Sequence, residues 1–318
     1  MILNIIILVI GFLILIKGAD LFVDGSSSIA DNFKVSKILI GLTIVAFGTS
    51  APELAVSIKS IISNNHDIVL GNVIGSNILN ILLIIGASAL IKPLIVKNNT
   101  IKKEIPILML ITCLFAVLLT DSFFNINTLN AFTRSDGIVL LLFFVIFIYY
   151  LLSISSNKTT GFEEKIKKMS LKKSFLFTGI GIVMIILGSE FVVNSASSIA
   201  EAIGVSQRMI SLTIIALGTS LPELVTSITA SKKGECDIAI GNVVGSCIFN
   251  IGIVMALPVA IFGGINQINF NNIDVSVMII SVLVLLLFSI NDKKITKKEG
   301  FFFLLCFLAY YSFILIQG

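Results

Sequence analysis

Apolar residues run along this chain in long blocks separated by short polar stretches, and the blocks predict ten membrane-spanning helices. They cover about 2–30, 36–62, 68–91, 105–120, 137–154, 174–200, 207–231, 238–263, 274–290 and 299–316. A helix needs about 20 mostly apolar residues to cross a bilayer, whereas barrel strands alternate over about ten. The longest polar stretch, 155–174, divides the blocks five and five. The chain therefore reads as an all-α membrane protein: a first five-helix unit over 1–154, a polar linker over 155–173 and a second five-helix unit over 174–318.

The two units are copies. A gapless shift of 170 matches 23 of the 42 residues from Ile40 to Ile81. The repeated cores span about 36–91 and 207–263. In each, Gly-Thr-Ser-x-Pro-Glu (Gly48–Glu53, Gly218–Glu223) precedes Gly-Asn-Val-x-Gly-Ser (Gly71–Ser76, Gly241–Ser246) at the same distance. Upstream, Gly18 pairs with Gly188 and Asp20 with Glu190. Five spans is an odd number, so the second copy enters the membrane with opposite polarity. Inverted repeats of this kind are a common transporter plan, with the binding site where the copies meet at the midplane.

Composition agrees with the pattern. Hydrophobic residues make up 56%, charged residues 13%, and mean hydropathy is +1.07; soluble domains carry about 25% charged residues. Charge placement adds orientation. With the N-terminus outside, the inward loops hold 18 of the 22 Lys and Arg residues, six of them in the linker. That is the positive-inside pattern, and it puts both termini outside and the linker in the cytoplasm. The net charge of +4 needs no nucleic acid to explain it. Met1 leads directly into an apolar run without a basic flank, so the first span reads as a retained helix.

Each copy places one glutamate, Glu53 or Glu223, deep in an apolar block. Such a carboxylate is costly at that depth and by default marks an ion or proton path. Pro52 and Pro222 lack an N–H, so the carbonyls of Gly48 and Gly218 lose their helical donor, and broken helices at membrane depth line cavities or bind ions. Thr49 and Glu53 lie four apart, as do Ser76 and Asn80, and Ser246 and Asn250, which places each pair on one helix face. Gly71/Gly75 and Gly241/Gly245 have the spacing that lets helices approach closely. The set is all oxygen, suited to hard cations such as Ca²⁺, Mg²⁺ or Na⁺. His66 reads as a solvated loop residue. Cys113, Cys236, Cys247 and Cys306 show no paired spacing and read as apolar fillers. Asp20, Asp136 and Glu190 read as interfacial or inter-helix partners.

The paired motifs closely resemble the α-repeats of the calcium/cation antiporter superfamily, in its compact prokaryotic sodium/calcium exchanger form. The resemblance covers essentially the whole chain. It implies a central calcium site of Glu53, Glu223, Thr49 and Thr219. One flanking sodium site would use Ser50, Ser246 and the carbonyl of Ala46; the other would use Ser220, Ser76 and the carbonyl of Ala216. Asn80 and Asn250 would sit at the central polar position between them. Many relatives, potassium-dependent ones included, carry aspartate where Asn250 stands, so the amide argues against potassium co-transport. Proton-coupled members typically carry Gly-Asn-x-x-Glu in the acidic helix, so Gly-Thr-Ser-x-Pro-Glu favours sodium coupling. The first and sixth helices, with Gly18 and Gly188 midway, would slide against the remaining bundle.

The expectation is an electrogenic antiporter of the cell membrane, not an enzyme, exchanging about three Na⁺ per Ca²⁺ without a cofactor or an obligate protein partner. A Ca²⁺/H⁺ or other cation/proton exchanger is the alternative within the class. A membrane metalloenzyme, for which no nucleophile–base pair is evident, and a gated channel are the alternatives outside it.

Overall fold

The computed structural model describes residues 1–63, 66–120, 130–155, 169–204, 216–265 and 272–317. Nearly all of them are helical. The helices are α1 (Ile2–Phe33), α2 (Lys37–Thr49), α3 (Ala51–Ile62), α4 (His66–Ile91), α5 (Ile105–Leu119), α6 (Arg134–Ser155), α7 (Leu171–Ala202), α8 (Ala216–Thr219), α9 (Leu221–Lys233), α10 (Cys236–Phe262), α11 (Asn272–Asp292) and α12 (Lys297–Gln317). Among the described residues seven helices are long and apolar enough to cross a membrane, or eight if the bent pair α2–α3 forms one span. The expected span at 105–120 appears as the 15-residue α5, extended by a five-residue π-helical turn at Thr100–Glu104. Of the span expected at 207–231, residues 207–215 lie outside the described residues, as do Arg208 and linker residues 156–168.

The molecule is apolar outside as well as inside, and its apolar core holds an unusual number of polar residues. Large apolar side chains face outward, among them Leu3, Leu13, Leu142, Ile146, Leu308 and Tyr149. The interior also buries Glu53, Glu223, Asn77, Asn80, Asn242, Asn250 and many hydroxyls. An exposed apolar belt of this extent suits lipid as its surroundings. Close helix packing in lipid depends on small residues, and α1 and α7 show it. These antiparallel helices run 32 residues each, about 48 Å at the helical rise, longer than a core about 30 Å thick requires. A Cβ on Gly18 would lie 2.8 Å from Met184 Cβ, one on Gly25 2.6 Å from the Thr178 nitrogen, one on Gly181 2.6 Å from the Phe22 nitrogen and one on Gly188 2.7 Å from the Leu15 nitrogen. Backbone lies on backbone along this seam.

The two copies meet where α2 crosses α10. A Cβ on Gly41 would come within 3.0 Å of Gly241 Cα, and one on Gly245 within 2.7 Å of Ala46 Cβ. The close approach expected of Gly241 and Gly245 is thus present. Gly71 and Gly75 meet no described atom within 4 Å; the residue opposite by the repeat, 211, lies outside the described residues.

Contacts sort the connecting segments into two ends. At one end Leu94–Ile95 pairs antiparallel with Lys294–Ile295, Lys37 binds Glu235 at 2.7 Å, Lys97 pairs with Asp237, and Asn32 donates to the Met169 carbonyl. At the other, Phe132 bridges to Ile265. Gly234, at φ 80°, closes the tight turn between α9 and α10 in a backbone region that other residues enter at a cost.

Candidate ion-binding site

The acidic helices break just before their glutamates. Between α2 and α3 the chain bends by 46° at Ser50, and between α8 and α9 it turns at Ser220. Glu53 and Glu223 therefore sit in the first turn of α3 and α9, where the positive end of a helix dipole favours a carboxylate. Each is only 1% exposed.

Ser50 and Ser220 occupy the N-cap positions, where a serine oxygen ordinarily accepts from the first free N–H groups of its own helix. Neither makes that bond. Each reaches across to the other copy. Ser50 Oγ donates to Glu223 Oε1 at 2.8 Å, and Ser220 Oγ is 3.4 Å from Glu53 Oε1 and 3.3 Å from Ser76 Oγ. Ser246 Oγ is 3.5 Å from the same Glu223 oxygen. The serines thus fall into two groups, Ser50 with Ser246 on Glu223 and Ser220 with Ser76 beside Glu53.

Buried acceptors converge there without partners. Glu53 Oε2, Glu223 Oε2, Asn250 Oδ1 and Asn80 Oδ1 make no close hydrogen bond among the described residues. Buried polar groups are nearly always paired, and leaving one unpaired costs about 1–3 kcal/mol, more if charged. A cluster of unsatisfied oxygens fits a cation, and Ca²⁺ takes six to eight of them. No group of three or more His, Cys, Asp or Glu side chains gathers among the described residues, which leaves hydroxyls, amides and carbonyls to complete any shell.

Thr49 Oγ1 lies 3.0 Å from Asn242 Oδ1 and within 3.3 Å of the Val45 and Ala46 carbonyls. The Ala46 carbonyl also accepts the Ser50 N–H at 3.0 Å. Thr219 ends α8, half-buried. Ala216 opens α8, and its side-chain surroundings lie outside the described residues. Asn80 and Asn250 each begin a π-helical turn, at Asn80–Ile85 and Asn250–Met255, an irregularity frequent at functional sites.

Sequence reasoning left Asn72 and Asn242 without a role, and the structure supplies one. Asn242 Nδ2 reaches Ser227 Oγ at 2.9 Å and the Glu223 carbonyl at 3.3 Å. Asn72 Nδ2 bonds Ser57 Oγ and the Glu53 carbonyl at 3.1 and 3.0 Å. Each amide braces the turn that carries a glutamate, and its identity in both copies was the available signal. Asn77, which has no such duplicate, also went unnoticed.

Several other polar residues make structural contacts. Thr133 and Asp136 form a capping pair at the start of α6. Asp20 and Asp24 pair with Lys233 at 3.4 and 2.7 Å, tying α1 to α9. His66 departs from the expected solvated loop: it opens α4, half-buried, with Nδ1 shielded and without a partner among the described residues. The four cysteines are free, with Cys236 and Cys247 buried.

A family profile described as "Sodium/calcium exchanger protein" matches residues 3–153 and 173–316. The chain is 30% identical over 341 residues to the sodium/calcium exchanger MaX1 of Methanosarcina acetivorans, covering 96% of this chain and 97% of that protein. It is 33% identical to the inner membrane protein YrbG of Escherichia coli, over 92% of this chain and 90% of YrbG. A structure of the sodium-calcium exchanger NCX_Mj soaked with 10 mM Na⁺ and zero Ca²⁺ superposes with TM-score 0.84 at 35% identity, covering 98% of both chains.

Proposed function

The chain belongs to the sodium/calcium exchanger family, and on that premise we propose that it exchanges Na⁺ for Ca²⁺ across the cell membrane by alternating access around Glu53 and Glu223. Membership makes it a cation/Ca²⁺ antiporter and a transporter rather than an enzyme. The observation that carries the finer reading is the reciprocal hold on two buried glutamates, each bonded by a serine of the other copy and each with one oxygen unpartnered.

In this reading the protein has ten spans in two inverted five-helix repeats, 1–154 and 174–318. Both termini face outside and the 155–173 linker faces the cytoplasm, the side that gathers the basic loops. Glu53, Glu223, Thr49 and Thr219 hold Ca²⁺. Ser50, Ser246 and the Ala46 carbonyl hold one Na⁺, and Ser220, Ser76 and the Ala216 carbonyl hold another. Two carboxylates are neutralised by one Ca²⁺ or by two Na⁺. A third Na⁺ leaves the loaded site one charge positive and makes a three-to-one exchange electrogenic. Both ions need the same glutamates, so they compete. The empty pair of carboxylates is costly to move through an apolar slot, which confines the transition to loaded states. The α1–α7 pair slides against the remaining bundle to change the side of access.

The test is Ca²⁺ flux into proteoliposomes with Na⁺, K⁺ or H⁺ gradients imposed singly. Sodium alone should drive uptake, and an imposed membrane potential should change its rate. Uptake driven only by a pH gradient would replace this reading with a cation/proton exchanger.

A further inference from the structure

The duplication is broken beside the site. Position 77 is asparagine, while the residue 170 further along is Cys247. Asn77 is 1% exposed, and its Oδ1 accepts a hydrogen bond from Asn250 Nδ2 at 3.2 Å. Its own Nδ2 faces Met278 Sδ of α11 at 3.9 Å. A thioether offers only acceptor lone pairs, so it sets the sense of the Asn77 amide: nitrogen to sulfur, oxygen to Asn250. That oxygen in turn fixes the Asn250 amide with its N–H₂ tied back. With one N–H of Asn250 tied to Asn77, its Oδ1 is left on the opposite side of the amide, buried and without a partner among the described residues. In the first copy the matching contact is weaker: the Asn80 amide meets the thiol of Cys247, the counterpart of Asn77, and makes no close hydrogen bond among the described residues.

We propose that Asn77 is a positioning residue that locks the Asn250 amide so that it offers a cation its oxygen and never its N–H₂. The consequence is an asymmetry of hold between the copies: Asn250 is fixed by an amide, and Asn80 is held only by the Cys247 thiol, a weak partner. An amide in a cation site is useful in one of its two orientations and repulsive in the other. Without Asn77, Asn250 would divide its time between them, or would spend its N–H₂ on a nearby carboxylate oxygen. The inference rests on the reading that Asn250 lines the transported-ion site.

A double-mutant cycle tests it, with Ca²⁺ concentration dependence measured in Na⁺-loaded proteoliposomes. Asn77→Leu should raise the half-saturating Ca²⁺ concentration about fivefold, the scale of one neutral hydrogen bond, with little change in maximal rate. In an Asn250→Asp background the same substitution should change it less than about twofold, because both ends of a carboxylate are acceptors and no orientation remains to be fixed. Asn77→Ala, run in parallel, supplies the same comparison should leucine not fold. An equal rise in both backgrounds would assign Asn77 to packing alone and overturn the proposal. No rise in either background, with Asn250→Asp still altering affinity, would also overturn it while leaving Asn250 in the site. If Asn250→Asp too left affinity unchanged, the placement of Asn250 would fall with it.

Discussion

The two bridging serines are related by the repeat yet held differently, and removing each should have unequal effects. Ser50 Oγ lies 2.8 Å from Glu223 Oε1, a single short bond to a carboxylate. Ser220 Oγ is 3.4 Å from Glu53 Oε1 and 3.3 Å from Ser76 Oγ, so its one hydrogen is shared and its contact long. A hydrogen bond to a charged group contributes about 1.5–3 kcal/mol and an ordinary one about 0.5–1.5. At a factor of ten per 1.4 kcal/mol these become roughly 10- to 150-fold and 2- to 12-fold. With Na⁺ bound, the Ser50 hydroxyl can keep its hydrogen on Glu223 while its lone pairs serve the ion. Ser50→Ala removes both functions and leaves Glu223 with the hydroxyls of Thr49 and of Ser246, the latter at 3.5 Å. After Ser220→Ala, Ser76 is free to turn its hydroxyl toward Glu53. The half-saturating Na⁺ concentration for Ca²⁺ release from proteoliposomes should therefore rise at least tenfold in Ser50→Ala and by less in Ser220→Ala. Equal effects, or the reverse order, would refute the reasoning.

Glu53→Gln or Glu223→Gln should each abolish Ca²⁺ transport, because each removes one of only two formal charges available to a divalent ion; near-normal Ca²⁺ flux in either variant would rule out a shared central site. Na⁺-driven flux should not depend on K⁺, since Asn250 supplies no third carboxylate, and a K⁺ requirement measured on the Ca²⁺ side would count against that. Gly181→Ala drives a Cβ to 2.6 Å from the Phe22 nitrogen and should cost about 1–3 kcal/mol, read as a lower melting temperature in detergent. Gly179→Ala, with no neighbour within 4 Å, should be neutral or stabilising. Impermeant maleimide added outside intact cells should label Gln317→Cys and not Lys165→Cys; the reverse would invert the topology.

Length and apolarity made most of the helices legible, because a bilayer demands both over long blocks. They hid the π-helical turns at Asn80 and Asn250, which interrupt the backbone without interrupting the apolar block, whereas the break at Ser50 was announced by Pro52. Repetition made the glutamates, serines and threonines legible, since matching motifs in both copies single out Glu53 with Glu223 and Ser50 with Ser220. What repetition could not supply was the crossing of partners: a serine three residues before a glutamate reads as its own helix cap, and here it serves the other copy. Asn77 escaped for the opposite reason, standing in one copy only. His66 was misjudged because a lone polar residue near a short connection looks wet until the packing around it is known.

The glycine seam between α1 and α7 gives the transporter an interlock. Two gates that moved independently would pass through a moment when both stood open, and every such moment would be a leak that runs down the gradient. The Phe22 backbone lies against Gly181 and the Leu15 backbone against Gly188, so the two helices are packed as one unit. On the proposed sliding of the α1–α7 pair, opening one side and closing the other would be a single displacement of one part, as the doors of an airlock share one bolt. Tight coupling between the ions can then rest on geometry as well as on binding energy, and the first sign of a loosened seam should be slippage, Ca²⁺ moving without its Na⁺, before any loss of rate.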